Sequence, residues 1–429
     1  ATYNLVDTIF VGHGAGTLAL AGLAISFPIQ MIVLSVGMTI GIGSASVISR
    51  SLGAGDQRRA EQAAGTSFVV TGIIAAALSI AAIIFIEPLL RGFGASDDVL
   101  PYAADYLTII LFGSIVFAIS VSSNNVARAE GNVKIAMRSM IIGAVVNTVL
   151  DPVFIFGFDM GIRGAAIATV IANVCTFAYL MVYFTSGASM LRIGLRDLIP
   201  NWAILPEVFR IGASSFFQMV AGSLMSIPVN HAILIYGADI HLAVLGVGNR
   251  AMMFFFMPIF GLVQGLQPII GFNYGARSYE RVLAATRKAG FYATALSTVA
   301  FLVLMIGTRP VLRMFSTDPD LITEGVPILR IVILAMPFVG FQMVGTALFQ
   351  SLGKAFPALV LALARQVLLL LPLVLILPLT FGIQGLWAAF PIADTIAILL
   401  TVTWVLVETR KLVRAVAVSP AVEPVPIAK

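Results

Sequence analysis

Apolar residues in this chain fall in long blocks, at about 1–12, 18–49, 65–86, 103–123, 135–158, 162–184, 211–236, 242–272, 289–308, 326–349, 355–380 and 384–407, separated by short polar or Gly/Pro punctuation. A bilayer core of about 30 Å needs about 20 residues at a helical rise of about 1.5 Å. The twelve blocks, numbered here as spans 1 to 12, therefore predict twelve transmembrane helices. Runs such as Val299 to Gly307 and Val367 to Leu377 are apolar on every face, which excludes the alternating pattern of a membrane β-barrel. Span 1 is too short to cross as it stands, and its start is expected to precede Ala1. Composition agrees with the pattern: 59% of the 429 residues are hydrophobic and 10% are charged, against about a quarter charged in soluble domains. The expected class is an all-α polytopic membrane protein.

Charge then orients the helices. Nineteen of the 25 Lys and Arg sit beside the 2–3, 4–5, 6–7, 8–9 and 10–11 connections or in the tail, among them Arg50, Arg58, Arg59, Lys134, Lys354, Arg365 and Arg410. The opposite connections carry Arg91, Arg163, Arg309 and Arg313, while Arg250 and Arg330 fall inside or at the ends of spans. The positive-inside rule predicts both termini in the cytoplasm of a multi-pass protein, and the expected location is a prokaryotic plasma (inner) membrane. The net charge of +5 thus reports topology, and no nucleic-acid partner is expected. A single cysteine, Cys175, and three unclustered histidines leave no disulfide or zinc framework.

The two halves echo each other at an offset of about 222 residues. Gly53-Ala54 recurs as Gly275-Ala276, Gly131 as Gly353, and Gly161-Ile162-Arg163-Gly164 as Gly382-Ile383-Gln384-Gly385. Six spans per half make an even number of crossings, so the halves share orientation and are expected to be two six-helix lobes related by a pseudo-two-fold axis along the membrane normal. The expected division is an N-lobe at 1–190, a cytoplasmic linker at 191–210, a C-lobe at 211–408 and a cytoplasmic tail at 409–429.

Gln264-Gly265-Leu266-Gln267-Pro268-Ile269-Ile270-Gly271-Phe272-Asn273-Tyr274-Gly275-Ala276, with Asn4-Leu5-Val6-Asp7-Thr8 in span 1, resembles the multidrug and toxic compound extrusion (MATE) transporters. An Asp in span 1 together with the Asn/Asp pair of span 5 looks most like the DinF-type branch. The resemblance implies a twelve-helix exporter that alternates between inward and outward openings and exchanges organic solutes for H⁺ or Na⁺.

Ionisable groups at membrane depth cost about 2.5–3.5 kcal/mol each on insertion scales, so Asp7, Asp151 and Asp394 are functional candidates. Asn147 and Asp151 are spaced i, i+4, on one face of span 5, and Pro152 removes the N–H that would have bonded the Thr148 carbonyl. Thr169 in span 6 adds a hydroxyl at similar depth, and hard cations favour such oxygens. By resemblance, Asp7, Asn147, Asp151 and Thr169 form the N-lobe cation site, where Na⁺ or H⁺ neutralises the carboxylates. Tyr3, one turn before Asp7, and Tyr106 are expected to support it; Asn124 is carried by the resemblance alone. Asp394 is as well suited to a helix-to-helix hydrogen bond as to transport. Met31, Gln218 and Met219 are candidate linings of a substrate cavity, where flexible thioethers suit varied ligands.

The favoured function is a cation-coupled antiporter for cationic or amphiphilic compounds, with no cofactor beyond the coupling ion, lipid and small organic substrates as partners, and no obligate protein partner. A lipid-linked precursor flippase is the alternative, and it asks for a strongly cationic cavity to hold pyrophosphate. An enzyme is not expected: the chain has neither a GxxxxGK[ST] loop nor an HExxH helix.

Overall fold

A computed structural model describes residues 10–12, 16–315 and 318–418, and every regular element among them is helical. Span 2 is Gly16–Gly53, span 3 Gln57–Ile84, span 4 Leu100–Ala129, span 5 Val133–Gly157 and span 6 Gly161–Thr185. Span 7 is Leu205–Tyr236, span 8 Asp239–Gly275 and span 9 Tyr279–Ile306. Span 10 is a bent pair, Pro319–Val332 and Met336–Ser351, with 48° between its arms.

Spans 11 and 12 share one helical run, Ala355–Ala417, of 63 residues. Straight, it would be about 95 Å long at the helical rise, about three times the bilayer core. Gly382 interrupts it with φ 55° and ψ −142°, a conformation that only glycine adopts cheaply. Arg365 and Asp394, 29 residues apart in sequence, are in contact, so the chain doubles back at Gly382. With the bent pair taken as one span and this run as two, eleven spans stand among the described residues. Of span 1, only residues 10–12 are described.

Most helices outrun their apolar blocks, and side chains cap some of the extended ends. Asp56 accepts a hydrogen bond from Arg59 N (3.0 Å) ahead of span 3. Asn132 does the same for Ile135 N (3.3 Å) ahead of span 5. Large apolar side chains such as Phe112, Val145, Ile306 and Leu379 are exposed, while Ser26, Thr71, Ser122, Ser139 and Ser297 are buried. That distribution suits a lipid solvent, in which small polar residues hold helices together and apolar ones face out. Spans 3 and 4 meet through Ser67 and Ser122, whose hydroxyl oxygens are 2.6 Å apart.

The chain forms two compact units. One runs to Gly212 without Gly53–Gly55, and the other comprises Gly53–Gly55 and Ala213 onward. The residues read as a linker, 191–210, are not free chain. They hold a short helical turn, Leu195–Leu198, and the first turns of span 7. Arg58 pairs with Asp197 (2.7 Å), and Arg50 and Arg59 pair with Glu207 (2.8 and 2.7 Å), which fastens this stretch to spans 2 and 3 within the first unit.

Candidate functional site

In the first unit the polar centre lies between spans 5 and 6. Asn147 and Asp151 are fully buried on one face of span 5, as their i, i+4 spacing requires. Asn147 Nδ2 donates to Asp151 Oδ1 (3.0 Å) and to Thr169 Oγ1 of span 6 (3.3 Å). A carboxylate only accepts hydrogen bonds, so the amide must turn its NH₂ toward Asp151. Asn147 Oδ1 is thereby aimed elsewhere, buried and without a donor among the described residues.

Backbone features near Asp151 fix this geometry. Pro152 interrupts the i→i−4 ladder, and the helix continues as a π-turn over Val153–Gly157, a widening often found at functional sites. Gly164 in span 6 lets the two helices close up: a Cβ there would sit 2.8 Å from the Phe154 carbonyl. That approach brings Thr169, five residues further along span 6, level with Asn147.

Of the supporting residues, Tyr106 is buried in span 4 and packs in a cluster with Val11, Ile155, Ile162 and Ala165, one turn beyond Asp151. Asn124 does not join the cluster. Its Nδ2 donates to the Ala136 carbonyl (2.9 Å) and Ser139 Oγ (2.7 Å), about 12–16 Å along span 5 from Asn147, where it ties span 4 to span 5. Tyr3 and Asp7 lie outside the described residues. Met31 is half-buried on span 2; Gln218 is exposed and Met219 half-buried on span 7.

The second unit also holds charge between its last two helices, and here the sequence reading needs correction. Arg365, counted above with the basic connections, is inside span 11, about 15 Å from its start at the helical rise. It stands in a second π-segment, Ala364–Leu370. Its Nε donates to Asp394 Oδ1 (2.5 Å) and its Nη2 to Oδ2 (3.3 Å). Asp394 thus takes the helix-to-helix role that the sequence left open, with an Arg as its partner. The signal was available: Arg365 has ten residues of apolar helix between it and Lys354. Proximity to a loop masked it.

A second missed feature is an uncharged chain across spans 8, 10 and 7. Gln267 Nε2 donates to Gln350 Oε1 (2.8 Å), and Gln350 Nε2 donates to Ser214 Oγ (3.0 Å) and Ser215 Oγ (3.2 Å). Among the described residues no group of three or more His, Cys, Asp or Glu is placed to hold a metal ion.

At the ends of the helices, Glu130 follows span 4 and is buried, accepting from Ser189 Oγ (2.7 Å) and Met190 N (2.9 Å). Burial raises its pKa above the usual carboxylate range, and these hydrogen bonds oppose the shift only in part.

Comparison with known proteins agrees with this architecture. The MatE family model matches residues 1–153 and 214–376. The multidrug export protein MepA of Staphylococcus aureus (strain MSSA476) is 26% identical over 406 residues, covering 92% of this chain and 87% of that protein. A MOP superfamily transporter from Pyrococcus furiosus Vc1 (DSM3638) is 27% identical with a TM-score of 0.89, over 96% of this chain and 92% of its own. The MATE multidrug transporter DinF-BH, solved as a ligand complex, is 41% identical with a TM-score of 0.88, over 96% and 92% of the two chains. With most of its length under the family model and helices to match, the chain belongs to the MatE family, the multidrug and toxic compound extrusion transporters, and is similar to the DinF-type branch.

Proposed function

We propose that this protein is a cation-coupled antiporter that exports organic cationic or amphiphilic compounds across a prokaryotic plasma membrane by alternating access, with H⁺ or Na⁺ as the coupling ion and both termini cytoplasmic. The observation that carries this reading is the buried oxygen cluster of spans 5 and 6. Asn147 Oδ1 is an acceptor without a donor among the described residues, on the same amide whose NH₂ serves the Asp151 carboxylate and Thr169 Oγ1. Leaving such an oxygen dry and unfilled costs about 1–3 kcal/mol. A hard cation at that oxygen relieves the cost, and a proton on Asp151 would neutralise the neighbouring buried carboxylate. Asp7 completes the set by family resemblance. The names of MepA and DinF-BH, a multidrug export protein and a multidrug transporter, support the substrate class.

Coupling requires that the ion and the organic substrate favour opposite conformations, because a ligand shifts an equilibrium only through its differential affinity. One net charge crossing a potential of about 100 mV supplies about 2.3 kcal/mol, enough for a substrate gradient of roughly 50-fold. The flippase reading is not favoured: a pyrophosphate asks for several converging cations, whereas Arg365, which the structure places inside a span, shares its charge with Asp394.

The test is efflux of a cationic dye from vesicles holding the full chain, with pH and Na⁺ gradients imposed separately. Wild type should respond to one of the gradients. Asp151→Asn and Asp7→Asn should each lose that response, and efflux untouched by both substitutions would remove the coupling site.

A further inference from the structure

Arg365 and Asp394 stand near the middle of their helices, each ten or more residues, or about 15 Å or more, from the helix ends at Ala355 and Gly382. That distance from the helix ends puts the pair within the apolar spans, where an Arg is tolerated when it faces the bundle interior or a watery space and not lipid. The two partners are not equally accessible. The Asp394 side chain is 7% exposed and the Arg365 side chain 35%.

Asp394 spends both oxygens on the Nε and Nη2 edge of the guanidinium. The Nη1 edge has no partner among the described residues. A buried carboxylate that grips one edge of an Arg fixes the direction of the other, which is how a guanidinium is pre-organised for a second, planar acceptor. The π-segment over Ala364–Leu370 widens the helix at that point. Gln366, the next residue, carries a buried Oε1 without a donor among the described residues. It also approaches span 7 at Gly222, where a Cβ would sit 3.4 Å from its Nε2.

We infer that Arg365, oriented by Asp394, is a binding site in the second unit for the acidic group of an organic substrate, a carboxylate or sulfonate on an otherwise apolar or cationic molecule. The inference rests on the exporter reading for its substrate and deepens it by naming the chemical group that the second unit takes. The accessible partner decides the sign: a cation would need Asp394, which is sealed behind the guanidinium.

The test uses the full chain in lipid nanodiscs and two forms of one rhodamine dye, the cationic ester and the free carboxylate, with binding read by fluorescence anisotropy. The double variant Arg365→Gln/Asp394→Asn removes both charges together, so no buried ion is left unpaired. It should bind the carboxylate dye about tenfold or more weakly, the size of a lost charge-assisted hydrogen bond. Affinity for the ester should stay within about twofold of wild type by the same reasoning. Equal effects on both dyes, or no effect on either, would overturn the assignment and leave the pair as a tie between spans 11 and 12. So would a wild-type protein that fails to bind the carboxylate form.

Should the variant not fold, phenylglyoxal modification of wild-type Arg365, followed by mass spectrometry, reads the same site. The carboxylate dye should protect the residue and the ester should not; equal protection again overturns the inference. A wild type that binds the dyes but drives no efflux would count against the exporter reading alone.

Discussion

Asn147 illustrates how one amide divides its labour. Its NH₂ serves Asp151 and Thr169 while its oxygen faces away from both. Asn147→Ala should therefore weaken the coupling ion without abolishing folding, shifting the Na⁺ or pH midpoint of dye efflux by about fivefold or more, the lower end of typical coupling energies. Asn147→Asp, by adding a second buried carboxylate beside Asp151, should move that midpoint to higher pH through like-charge repulsion. The i, i+4 spacing of Asn147 and Asp151 was legible in the sequence, since helix geometry alone puts them on one face. The free direction of the Asn147 oxygen was not, because it follows from which acceptor the neighbouring helix presents.

Glu130 offers a separate titration. Its pKa is raised in the folded protein, so the folded state holds a proton that the unfolded state releases. The resulting stability is fully present below the ordinary Glu pKa and is lost as pH rises through the raised one. Thermal melting from acidic pH upward should show this loss in wild type, and Glu130→Gln should flatten it. A slope unchanged by the substitution would assign the pH dependence to other groups.

At the scale of elements, each lobe's fifth helix carries a π-segment, Val153–Gly157 in span 5 and Ala364–Leu370 in span 11. Each lobe also sets its polar centre between its fifth and sixth helices. The internal repeat predicted like positions but not the unlike chemistry at them. Loops were read from punctuation, and Gly382 was seen there as one member of a repeated Gly-x-x-Gly. Its φ of 55° shows what that punctuation does: it turns two membrane helices around with almost no connecting chain. Gly382→Ala should cost about 1–3 kcal/mol, the range for a side chain forced into a glycine-only region, measurable as a lowered melting temperature. Gly164→Val should destabilise by a similar amount of about 1–3 kcal/mol through overpacking against Phe154, and should also disturb cation binding by moving Thr169 from Asn147.

For the whole molecule, twelve blocks of apolar residues were enough to identify the class, because a lipid solvent demands apolar stretches of about 20 residues whose backbone bonds close within the helix. What escaped were interior groups whose meaning depends on a partner far along the chain. Arg365 looks like a topology anchor until Asp394 is beside it. Gln267 reads as part of a family motif until Gln350 is found to accept from it. The basic residues that set orientation remain informative without Arg365, and single-cysteine labelling at positions 56 and 98 tests them. A thiol at the first should react only from the cytoplasmic face and one at the second only from the outer face.

The sharp reversal at Gly382 also bears on how the protein is made. Inserted singly, spans 11 and 12 would each carry an unneutralised charge into the membrane, Arg365 in one and Asp394 in the other. Joined without slack, they can leave the translocon as one hairpin with the ion pair already closed, so that neither helix meets lipid alone.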